Sequence, residues 1–140
     1  LKVLIPVIAK EFLKEIDKDI NNFEEFVRTV INNRYEFISK NQEIFCIVIK
    51  EFLYKDKLME EFIPHISNHV RDFINATFDK FKASGEIIDL PNPVIIRVIL
   101  SSVFGYFTMR FLLLKKYNIS GKEEEIELLV RFISRGLKAP

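Results

Sequence analysis

Between Asn92 and Lys116 the chain reads NPVIIRVILSSVFGYFTMRFLLLKK. Apolar residues fall on every side of the helical wheel, interrupted only by Arg97, Ser101, Ser102, Thr108 and Arg110. A surface helix needs one apolar stripe, whereas a helix apolar all round must be covered all round. A chain of 140 residues builds one domain with a real core. The extra cover for such a helix must therefore come from a membrane, a bound apolar molecule or a second copy.

The membrane option is the weakest of the three. Val94–Leu114 is long enough to span a bilayer. It carries two arginines, however, and each charge costs about 2.5–3.5 kcal/mol near the centre of an inserting helix. The remaining helices are amphipathic and soluble in character, so no membrane partner is expected. A net charge of +1 gives no global electrostatic case for nucleic-acid binding. One cysteine excludes an internal disulfide framework and fits a reducing, cytoplasmic setting. Lys10, Glu11, Lys14 and Glu15 break the apolar start, which is unlike a signal peptide. The first residues read as a chain entered mid-protein.

Four glycines, five prolines and apolar residues recurring at three and four positions predict an all-α fold of about six helices and no sheet. The first helix spans about Lys2 to Asp17. A second follows Asn22 as N-cap, with Glu25 placed to cap reciprocally, and runs to about Ser39. A third starts at Asn41 and is so apolar in its middle that a central position is expected. A fourth runs from about Asp56 to Ala83, kinked near Phe62–Pro64 by the proline. Ser84-Gly85 ends it. Asn92 and Pro93 read as N-cap and first helical residue of the apolar helix, which extends to Tyr117. Ser120 and Glu123 form a capping box for the last helix. That helix has two stripes: Ile126, Leu129, Ile133 and Leu137 on one side, Leu128 and Phe132 on another.

Catalytic chemistry finds no foothold. There is no nucleophile with a matching histidine and acid, no phosphate loop and no set of paired inward carboxylates with metal-ligand histidines. The chain reads as a non-enzyme without cofactor. His65 and His69 lie one helical turn apart and could chelate zinc, but no third ligand accompanies them, and polar or solvated positions suit them better. Arg97 and Arg110 either lay their stems along apolar surface or fix an anionic group in a greasy cavity. Ser101, Ser102 and Gly105 offer close helix approach, within the chain or between chains. Cys46 reads as a small buried hydrophobe. The sequons at Asn75 and Asn118 are discounted, the first lying inside a predicted helix.

From Phe81 to Leu137 the order is a helix ending in Gly-Glu-Ile, an acidic-proline loop at Asp89–Pro93, a hydrophobic helix with a central Ser-Ser-x-x-Gly, and an amphipathic helix closing on Arg135-Gly136-Leu137. This order resembles the C-terminal regulatory domain of the TetR family of bacterial transcription regulators. Nearly the whole chain, residues 1–140, fits that layout as a single effector-binding and dimerisation domain. The resemblance implies an orthogonal or antiparallel bundle whose last two helices, Asn92–Tyr117 and Lys122–Gly136, form a four-helix homodimer interface. Interface residues would be Ile95, Ser102, Gly105, Tyr106, Met109, Leu113, Leu128, Leu129 and Phe132. It implies a small apolar or amphipathic effector, with Phe26, Val30, Phe45, Ile49, Phe62, His69, Phe73, Phe104, Phe107 and Arg110 as candidate pocket residues. Plain core packing is the competing reading for each apolar one. It also implies a helix-turn-helix head ahead of Leu1, through which alone DNA would be bound. A helical protein–protein interaction module is the alternative from another class, and a carrier or enzyme for an apolar molecule ranks third.

Overall fold

The computed structural model describes residues 20–54, 68–118 and 120–140. These residues form five α-helices with no strand among them: α1 (Phe23–Lys40), α2 (Gln42–Tyr54), α3 (Asn68–Ala83), α4 (Asn92–Thr108) and α5 (Lys122–Gly136). The expected first helix, the first half of the fourth with its kink at Phe62–Pro64, and His65 lie outside the described residues.

Local chemistry sets several boundaries. Asn22 Oδ1 accepts from the Glu25 backbone N–H at 2.7 Å and so caps α1. α3 is followed, after Ser84, by Gly85, whose φ of +77° only glycine adopts freely. There the Gly85 and Glu86 N–H groups turn back to Lys82 and Phe81 carbonyls, both at 3.0 Å, closing the helix end.

Two predicted caps are replaced. Asn92 is the first residue of α4 rather than its cap, Pro91 holding that place. Its side chain instead reaches α3, donating to Asn75 at 3.1 Å and Asp79 at 3.2 Å while accepting from Lys82. The capping box at Ser120 does not form: Gly121 is the N-cap, and the Ser120 hydroxyl donates to Glu125 at 2.8 Å. The half-buried, salt-bridged Glu125 carboxylate draws the hydroxyl to itself.

α4 also ends differently from a plain helix to Tyr117. A π-turn spans Met109–Leu113 and a 3-10 turn follows at Lys115–Tyr117. The Leu114 N–H closes the wide ring on Met109 at 2.7 Å. Cys46 Sγ donates to the Phe111 carbonyl within this turn at 3.9 Å, so the half-buried thiol has a polar contact.

The core gathers where α1 runs along α5. Phe23, Phe26, Val27, Ile31 and Ile38 of α1 join Ile126, Val130 and Ile133 of α5 in one cluster with Ile95, Val103 and Phe107 of α4. Each such side chain contributes about 1.5–3 kcal/mol by leaving water. Arg28 grips Glu127 through two hydrogen bonds, at 2.6 and 3.0 Å, and Lys122 pairs with Glu36, so ion pairs flank the same seam. The chain's end is fastened too. Ile88 N–H donates to Leu137 O at 2.8 Å and Ala139 N–H to Glu86 O at 3.1 Å, in a single β-bridge.

α2 is not central. Only Phe45 is buried, while Ile44, Ile47, Leu53 and Tyr54 are exposed. An all-apolar helix carries no phase to say which side faces inward, and this one packs by one edge.

Candidate functional site

The largest unexplained surface is the outer side of α4 and α5. α4 turns Ile95, Val103 and Phe107 into the core. On its other side Val94, Val98, Leu100, Phe104 and Met109 are all more than 40% exposed, and Leu113 follows at 61%. Asn92–Leu113 is long and apolar enough by length and composition to cross a membrane, and only 22% of an 18-residue window within it is buried. α5 adds Leu128 at 63% and Phe132 at 70% exposure. These two helices are joined by the Tyr106–Glu125 hydrogen bond at 2.8 Å.

Arg97 is the exposed charge on the α4 side of this face, while its two serines are satisfied within the helix. Ser101 and Ser102 donate their hydroxyls back to the carbonyls of Arg97 and Val98, at 2.7 and 3.0 Å. Gly105 sits mid-helix, where glycine costs about 0.5–1 kcal/mol relative to alanine. A Cβ there would meet nothing within 4 Å. Packing among the described residues therefore gives no reason for the glycine.

Beneath the face lies a polar cluster joining three helices. Arg110 Nε donates to the Tyr35 hydroxyl and its Nη1 to Glu125 Oε1, both at 2.8 Å. Glu125 also accepts from Tyr106 and Ser120, each at 2.8 Å. Burial opposes the charge on Glu125, but the hydrogen bonds from Ser120, Tyr106 and Arg110 outweigh it and hold its carboxyl below the usual range. Burial, seconded by the bond to Glu125, pushes the Tyr106 phenol upward. Burial also disfavours charge on Arg110, and the surrounding oxygens reverse that effect. The Arg110 side chain is thus committed to its own fold, with both partners at hydrogen-bond distance.

Four of the candidate pocket residues fall into two packed aromatic groups. Phe26 meets Phe73 at 6.5 Å, with Phe78 and Phe81 beside it. Phe45 and Phe107 both pack on Phe111, at 6.3 and 6.2 Å, and Tyr35 completes that group at 5.1 Å from Phe111. Val30 and Ile49 are half-buried against the core. His69 is exposed on α3, Phe104 is exposed on α4, and Phe62 lies outside the described residues.

Among the candidate interface residues, Gly105, Met109, Leu113, Leu128 and Phe132 are exposed. Ser102 and Leu129 are half-covered, and Tyr106 is turned towards Glu125. Ile95 has no exposed surface, so its own chain covers it entirely; Val94 and Val98 occupy the outward positions instead. Sequence reasoning missed these two valines. It also missed Tyr35, although Tyr35 follows Ile31 at the four-residue spacing of the α1 stripe. Among the described residues no group of histidine, cysteine and carboxylate side chains could hold a metal ion.

No family model, curated protein or solved structure matches the chain.

Proposed function

We propose that this chain is the regulatory domain of a TetR-like transcription regulator, homodimerising through the outer faces of α4 and α5. In this reading it is cytoplasmic and senses a small apolar or amphipathic effector. DNA is bound by a helix-turn-helix head not contained in these 140 residues. The observation that carries the reading is the apolar face itself: two adjoining helices, each with a second apolar side left uncovered. Exposed apolar area on this scale marks an interaction site. A C2 dimer covers the same patch on both copies at once. Gly105 supports it, since a mid-helix glycine without a packing role among the described residues suits the close approach of another helix. The order of elements from Phe81 to Leu137 supplies the regulator class.

Effector action follows from population shift. A ligand that binds one arrangement of the helices better than another biases the spacing of the two heads. Recognition helices must sit about 34–36 Å apart to meet successive major grooves.

Sedimentation equilibrium of the chain and its Leu128→Glu variant tests the dimer. The expected result is a dimer at micromolar concentration that the variant dissociates; a monomeric parent chain overturns the reading. The encoding frame upstream of Leu1 tests the class, where a helix-turn-helix of about fifty residues is expected. A frame encoding no such head, alongside an intact dimer, would favour the plain interaction module.

A further inference from the structure

The dimer reading says which face is covered but not how the two copies are oriented. The outward residues of α5 answer that question. At 3.6 residues per turn, Glu124, Leu128 and Arg135 fall within about 40° of one another round the axis, with Phe132 about 40° further on. All four are exposed. Exposed Arg131 lies about 20° from Glu124 on the same crest, which along the axis therefore reads acid, leucine, arginine, phenylalanine, base, with the end charges about 16 Å apart. Neither Glu124 nor Arg135 forms an ion pair among the described residues. Of the other charges of the outer half, Glu127 holds Arg28, while Arg131 is exposed and forms no ion pair among the described residues.

The ends of this order are complementary to their own reversal, while Arg131 lies beside the centre in either direction. The pair Glu124 and Arg135 and the pair Leu128 and Phe132 are centred on the same turn, at Leu129–Val130. A second α5 laid antiparallel across that turn sets Glu124 against Arg135 of the partner subunit at both ends and Leu128 against Phe132 of the partner subunit between them. A parallel copy sets carboxylate on carboxylate and guanidinium on guanidinium, which opposes association. Apolar contact supplies the attraction and the end charges choose the direction.

We infer that the two α5 helices of the homodimer pack antiparallel about Leu129–Val130, in the register fixed by reciprocal ion pairs between Glu124 and Arg135. This rests on the proposed dimer and adds its orientation and register. The interface is then isologous, each contact occurring twice.

Two single variants and their mixture form the test. Glu124→Arg leaves only bases at both ends of the contact, and Arg135→Glu leaves only acids. Each homodimer is expected to weaken about tenfold in Kd at low salt, with circular dichroism showing unchanged helix content. An equimolar mixture is expected to form a heterodimer close to parental affinity, since each end then pairs acid with base. That recovery cannot come from misfolded variants. Single variants as tight as the parent, or a mixture no tighter than either alone, overturn the register while leaving the dimer standing. A parent chain that is monomeric overturns the dimer and the register together.

Discussion

The two faces of α5 are nearly alike in chemistry and opposite in circumstance. Ile126, Val130 and Ile133 on the inner face are buried against α1 and the rest of the core. Leu128 and Phe132 on the outer face stand in solvent. Hydrophobicity alone does not separate them. The inner face is surrounded by directional contacts, with Arg28–Glu127 and Lys122–Glu36 along one border and the Glu125 cluster along another. The outer face carries Glu124, Arg131 and Arg135, none of which forms an ion pair among the described residues. Polar fastening thus marks the surface that the chain closes for itself, and its absence marks the surface left for something that comes and goes.

Four substitutions probe this contrast. The largest effect is expected inside: Phe107→Ala removes a fully buried ring that packs on Tyr35, Tyr106 and Phe111. It should lower folding stability by about 3–5 kcal/mol in urea titration. On the outer face Phe132→Glu should leave a dilute, monomeric sample as stable as the parent within about 0.5 kcal/mol. The same change should weaken self-association by about 2 kcal/mol or more, as a central aromatic anchor does. If instead it unfolds the monomer, the two faces are not different in kind.

The polar fastening is tested by Glu125→Gln, expected to cost about 1–3 kcal/mol at neutral pH. Because the folded carboxyl is held below its ordinary value, its contribution is fully present above about pH 4.3 and is lost as pH falls through the folded value. The difference between parent and variant should therefore vanish in acid. A difference that persists at pH 2 would remove charge from the explanation. The smallest effect is expected from Gly105→Ala, which should stabilise the monomer by about 0.5–1 kcal/mol through helix propensity and loosen the dimer slightly. A tighter dimer would show that no helix approaches closely there.

The sequence was legible where one residue type meets one local demand. Asn22 had to cap α1, Gly85 had to supply a positive φ, and the spacing of Leu128 and Phe132 already separated a second stripe from the first. It was illegible where choices are made in space. α2 and α4 are apolar nearly all round, so periodicity could not say that Ile95 faces inward and Val94 outward, nor that α2 lies at the edge. Arg110 read equally well as a ligand anchor or a wet-headed side chain. Its engagement with Tyr35 and Glu125 joins positions 75 and 15 residues away, and no local pattern announces that. Ser120 was assigned to a capping box by its spacing to Glu123, but its hydroxyl goes to Glu125, five residues on in the first turns of the same helix.

The wide turn at Met109–Leu113 changes the angular phase of everything beyond it. In a regular α-helix, residue i+4 overshoots a full turn by about 40°, which would carry Phe111 round and away from the line of Phe107. A ring closed from i to i+5 takes in one more residue per turn, so four residues come closer to a single revolution. Phe111 is thereby brought beneath Phe107, and both rings meet Tyr35. The turn behaves like a vernier: one added residue realigns the end of the helix without moving its beginning. Deleting a single residue there should rotate the segment after Met109 out of register with α1, while the outward line of Val94, Val98 and Gly105 stays where it is.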